Sequence, residues 1–164
     1  MPVRLLLLPI VLAATAVAAE PPPLPDQYGT DSGLVDYSGE AVLAIVVSAR
    51  KLRQIERWEQ KLRAQLPQLQ SLRVADINEQ PAPSQDQVAT KLRQRVPEGV
   101  SVQIDLQSLW ATQYALDTSE PCLLLFDSAH NVVAQYRGRA RDALVSEVLL
   151  ALQPYFEADQ SAGD

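Results

Sequence analysis

The run Ala41-Val42-Leu43-Ala44-Ile45-Val46-Val47 constrains this chain more than any other stretch. A strand with one wet face alternates apolar and polar residues. This run does not alternate and is rich in β-branched residues, so it reads as a strand covered on both faces, as in a parallel or mixed sheet. The segments after it supply the covering layers. From about Arg50 to Leu66 the pattern becomes helical, with Leu52, Ile55, Leu62 and Leu66 on one face and Arg50, Arg53, Arg57 and Lys61 on the opposite one. Trp58 lies at the edge of the apolar stripe and reads as core or boundary packing.

Strand and helix signals then take turns. Leu69 to Ile77 contains a second strand. Ser84 or Gln85 to Val96 is a helix with Val88, Leu92 and Val96 inward and Ser84 as its N-cap. Val100 to Ile104 is a third strand, and Leu106 to Leu116 a short helix carrying Leu109, Trp110 and Tyr114. Cys122 to Phe126 is a buried strand. Asp127 to Asn131 is rich in turn formers, and Val132 to Tyr136 pairs back as a hairpin. Arg141 to Tyr155 is a last helix, with Leu144, Val145, Val148, Leu149 and Leu152 inward. Alternating strands and helices closed by a hairpin imply an α/β fold with a central mixed sheet flanked by helices.

The ends of the chain have a different character. Residues 1–19 have a short basic start at Arg4, an apolar run from Leu5 to about Leu12, and small residues up to Ala18 and Ala19. That layout is a secretory signal peptide cut after Ala18 or Ala19. The apolar run is shorter than the roughly 20 residues that span a bilayer, and Pro9 interrupts it. No later stretch is long and apolar enough to span, so no stable membrane span is expected after cleavage. No cysteine lies near the cut, so a lipid anchor on cysteine is not available. The expected location is the periplasm. Residues 20–25, Glu20-Pro21-Pro22-Pro23-Leu24-Pro25, resist helix and read as a tether. Residues 26–156 then form one domain, and 157–164 a flexible polar tail.

Charge and cysteine content narrow the function. Fourteen basic and twenty acidic residues give a net charge of −6, which argues against a nucleic-acid binder. The chain holds one cysteine, Cys122. It cannot by itself form a dithiol–disulfide pair, and it is not a disulfide scaffold.

Three stretches carry a resemblance to the thioredoxin fold, in its peroxiredoxin-like (redoxin, AhpC/TSA) elaboration. Leu24 to Gly29 together with Asp36 to Gly39 resembles the N-terminal hairpin and turn that lead into the first core strand of redoxins. Glu120 to Asp127 resembles the proline loop and the strand after it. Val132 to Gly138 resembles the closing strand and its glycine. The resemblance covers about Leu24 to Leu152. It implies a redoxin-type N-terminal hairpin and a cis peptide bond between Glu120 and Pro121. It also implies that active thiols would sit where the first core strand meets the next helix. Here that junction reads Ser48-Ala49-Arg50-Lys51-Leu52-Arg53-Gln54, with neither a Cys-x-x-Cys pair nor a Thr-x-x-Cys. Both chemistries need a thiolate. No catalytic role carries over to this chain, and it looks like a degenerate member of the superfamily.

The remaining candidates are contact residues. Pro121 and Cys122 stand at the expected proline loop. Cys122 reads as a small buried residue at a strand start; the competing reading is a lone thiol that forms a mixed disulfide with a partner or ligates a metal. A soft-metal site needs further ligands, and the chain has one histidine and one methionine, so neither metal nor cofactor is expected. His130 reads as an exposed turn residue. The basic stripe Arg50, Arg53, Arg57 and Lys61 reads either as a solvated helix face or as a surface for an acidic partner or an anion. The sequence therefore leads to an exported, redox-inactive binding or accessory module. Its contact surfaces would be the sheet edge, the proline loop and the basic helix face, and its partner a periplasmic protein. The alternative is a thiol-dependent accessory acting through Cys122.

Overall fold

The computed structural model describes residues 20–156. The expected signal peptide and tail lie outside the described residues. Strand β3 (Val42–Ser48) is the middle of a five-stranded sheet. It runs parallel to β4 (Ser71–Asp76), which runs parallel to β5 (Gln103–Asp105). On its other side β3 pairs antiparallel with β6 (Cys122–Phe126), and β6 with β7 (Val132–Arg137). The sheet order is β5-β4-β3-β6-β7.

Every side chain from Val42 to Val47 is fully buried. Leu43, Ile45 and Val47 face helices α1 (Arg53–Arg63) and α4 (Asp142–Phe156), through Ile55, Trp58, Leu62, Val148 and Leu152. Val42, Ala44 and Val46 face Trp110 on α3 (Leu109–Gln113), along with Leu34 and Phe126. Each such aliphatic side chain contributes about 1.5–3 kcal/mol on burial, which is why the unbroken apolar run sits at the centre of the sheet. Helix α2 (Gln85–Arg95) adds Val88, Ala89 and Leu92 to the first face. Its cap is the expected one: Ser84 Oγ accepts from the Gln87 N–H at 3.3 Å, and the Gln87 side chain accepts from the Ser84 N–H at 3.0 Å.

The strand expected over Val100 to Ile104 is confined to Gln103–Asp105, and three further elements differ from the sequence reading. The helix expected from Arg50 begins at Arg53. Residues Ala49–Lys51 form a 3-10 turn instead, because the Ser48 hydroxyl accepts the Arg50 N–H and satisfies it locally. The helix expected over Leu106 to Leu116 contracts to Leu109–Gln113. The buried Asp105 carboxylate accepts the Leu109 and Trp110 N–H groups, each at 2.9 Å, and so sets the start.

The third difference is the segment read as a tether, which is packed against the domain. Leu24 joins the Trp110 cluster, and Leu24–Pro25 (β1) pairs antiparallel with Asp31–Ser32 (β2), forming the expected N-terminal hairpin. In the loop of this hairpin Gln27 is fully buried, donating to the Val100 carbonyl at 2.5 Å and accepting from the Val102 N–H at 2.9 Å. The extended bias of the prolines suits β1, and Leu24 with the buried Gln27 hydrogen bonds holds the segment to the domain.

Candidate functional site

The junction after β3 is where the resemblance would place thiols. Ser48 is buried, and its hydroxyl is engaged by the Arg50 N–H. Lys51 reaches across to the loop before β6, where its ammonium donates to the Ser119 carbonyl and stands 3.6 Å from Glu120 Oε1. The guanidinium of Arg139 stands 3.5 Å from Glu120 Oε2. Glu120 thus ties the helix start, the proline loop and the segment after β7 together.

The Glu120–Pro121 peptide bond is trans, which corrects the expected cis bond; among the described residues the cis bond is Gln80–Pro81. Pro121 is buried, and its carbonyl accepts the Gly138 N–H at 2.8 Å, so the β6–β7 ladder runs straight through it. That extended path suits the trans form, the default even before proline by about 0.5–1 kcal/mol. Gly138 has φ +143, and its carbonyl accepts the Trp58 indole N–H at 3.1 Å, which seats α1 against the end of β7.

Cys122 is 1% exposed and faces the Trp110 side of the sheet. Its Sγ donates weakly toward the Asp117 carbonyl at 3.4 Å and the Glu120 carbonyl at 3.5 Å. Burial pushes the thiol up to about 11, and the charge of Arg137 opposes this only in part. At neutral pH the thiolate, the reactive form, is scarce. Among the described residues, no group of three His, Cys, Asp or Glu side chains is placed to hold a metal ion.

His130 departs from the exposed-turn reading. Its side chain is 9% exposed, with Nδ1 2.6 Å from Glu20 Oε1 and Nε2 3.2 Å from the Tyr37 carbonyl oxygen. The backbone turns sharply there (φ +60), which aims the ring back at the N-terminal segment. Burial would push the imidazole down, but the Glu20 carboxylate and the Tyr37 carbonyl outweigh it and raise its pKa above the ordinary 6.5.

The basic stripe resolves into two groups. Arg50 lies on the 3-10 turn rather than on the helix and stands 3.8 Å from Glu79. Arg53, Arg57 and Lys61 follow on α1 at i,i+4 spacing, and Lys61 pairs with Asp142 at 2.6 Å. Arg53 and Arg57 are exposed, and neither has an ion-pair partner among the described residues. They line a cleft of about 670 Å³ together with Arg50, Lys51, Arg95 and Arg139. The last two were not singled out from the sequence. Arg95 ends α2, and Arg139 follows the Gly138 turn. A smaller hollow of about 350 Å³ shares Gln54, Arg57 and Arg139 with the cleft and extends it toward Lys61 and Arg141. The sheet edge at β7 exposes Val132 and Val133. Among the described residues, no helix is long and apolar enough to cross a membrane.

Solved structures with the same arrangement are thioredoxin-like. The exposed lipoprotein thioredoxin of Streptococcus pneumoniae superposes with a TM-score of 0.62 at 14% identity, covering 79% of this chain and 98% of that one. A thiol:disulfide interchange protein of Chlorobium tepidum gives 0.60 at 21% identity, over 82% and 94%. The bacterioferritin comigratory protein of Xanthomonas campestris, described for alkyl peroxide reduction, gives 0.58 at 16% identity, over 85% and 97%. Neither a protein-family model nor a curated protein sequence matches the chain. The chain has the thioredoxin-like fold, and its single cysteine lies outside the junction where that fold's redoxin members carry their thiols.

Proposed function

We propose that this chain is an exported thioredoxin-like domain that acts as a periplasmic binding or accessory module, without dithiol chemistry of its own. The observation that carries the reading is the junction after β3. Where the resemblance would place thiols, Lys51 is held by Glu120 and the Ser119 carbonyl. Cys122 is buried with its pKa raised, which counts against a mixed disulfide with a partner. The Ala-rich leader at residues 1–19 supports export.

Insulin reduction and peroxide consumption by the purified protein test the reading. Both rates should match buffer alone, and turnover that disappears in Cys122→Ala would overturn it. Affinity capture from a periplasmic extract, comparing the native chain with Arg53→Glu/Arg57→Glu, tests the contact surface. Loss of a specific band in the variant is expected, and equal capture by both removes the basic face from the account.

A further inference from the structure

We infer that the basic cleft beside the start of α1 receives an extended, acidic peptide segment of a partner protein, a binding site that deepens and rests on the reading above. Six cationic side chains from four separate places in the chain converge there: Arg50 and Lys51 from the 3-10 turn, Arg53 and Arg57 from α1, Arg95 from α2, and Arg139 from the turn after β7. The chain as a whole carries −6, so this concentration of positive charge runs against its average. Like charges at i,i+4 on one helix destabilise it slightly, and cations in the first turn oppose the helix dipole. Carboxylates elsewhere on the protein meet Arg50, Lys51 and Arg139, while Arg53, Arg57 and Arg95 have no ion-pair partner among the described residues.

Two features favour a peptide over a compact anion. First, the cleft continues past Arg57 and Arg139 into the second hollow, so its length suits a chain. Second, Gln54 stands on the wall both hollows share, and its amide oxygen, turned inward, accepts no hydrogen bond among the described residues. Carboxylates would pair with the guanidinium groups. A turn of the Gln54 side chain would bring that oxygen to a backbone N–H of the peptide, whereas fully ionised phosphate offers acceptors only.

The test is fluorescence anisotropy of a labelled octaglutamate peptide with the purified protein at low and at physiological salt. Binding should be saturable and should weaken as salt rises. The exposed pair Arg53→Glu/Arg57→Glu should weaken it about tenfold or more, while Val132→Glu, exposed at the opposite end of the sheet, should change it by less than about twofold. Arg53→Gln/Arg57→Gln should fall between, with an unchanged circular dichroism spectrum showing that each variant folds. No binding by the native chain, or equal binding by the charge reversal, overturns the site. Tripolyphosphate displacing the peptide at lower concentration than free octaglutamate overturns the peptide class in favour of a phosphate ligand. None of these results touches the redox-inactive reading, which only thiol turnover removes.

Discussion

At the end of the sheet where β3 begins, charge is used to hold the chain to itself. His130 meets Glu20 and the Tyr37 carbonyl, and Asp127 accepts the Ala129 and Asn131 N–H groups at 2.9 and 2.8 Å. A hollow of about 620 Å³ at that end is lined by Glu40, Gln68, Gln70 and Tyr155 among others, with no basic residue. At the end where β3 finishes, a cleft of similar size is lined by cations, and three of them have no ion-pair partner among the described residues. The two hollows differ in charge rather than in room. His130 and Asp127 close the fold at one end, and cations without ion-pair partners among the described residues stand ready at the other for something outside it.

The largest expected effect is on the seat of the cleft wall. Trp58 is fully buried and binds the Gly138 carbonyl, so Trp58→Ala should cost about 3–5 kcal/mol in urea unfolding. A loss below about 1 kcal/mol would mean that α1 is not anchored as described.

The closed end should show a pH signature worth about 1 kcal/mol. Folding raises the His130 pKa above 6.5, so the protonated ring stabilises the fold. That contribution is fully present below about 6.5 and is lost as pH rises through the folded-state value. His130→Ala should therefore destabilise the protein more in mildly acidic than in mildly alkaline buffer, on top of a pH-independent loss from the Tyr37 hydrogen bond and the φ of +60. An equal loss at both would remove the charged clasp from the account.

The smallest effect sharpens the open end. Glu120→Gln removes the carboxylate shared by Lys51 and Arg139 and leaves two more cations at the cleft without an ion-pair partner among the described residues. Octaglutamate should then bind about threefold tighter, with stability lowered by no more than about 1 kcal/mol. Weaker binding would show that Glu120 organises the cleft rather than shielding it.

Most of the scaffold was legible because local pattern carries it. The unbroken run of β3, the amphipathic α1, the Ser84 cap and the turn before β7 all follow from the character of neighbouring residues. The cleft was half legible. Arg53 and Arg57 share a helix face at a readable spacing. Arg95 and Arg139 join them only through the packing of α2 and the β7 turn against α1, which no local spacing encodes. His130 was misread for the same reason, since its partners Glu20 and Tyr37 lie about a hundred residues away in sequence. The Glu120–Pro121 bond was carried over by resemblance, and here the loop runs straight into a β-ladder instead.

The central claim is that this fold is held here without a reactive thiol, and alkylation of Cys122 in the native and the denatured protein tests it most directly. A thiol moved from an ordinary 9.0 to about 11 keeps roughly one hundredth of its thiolate at neutral pH, and burial slows access further. Native labelling should therefore be at least about a hundredfold slower than labelling in denaturant. Comparable rates in the two states would contradict the account and restore Cys122 as a working thiol.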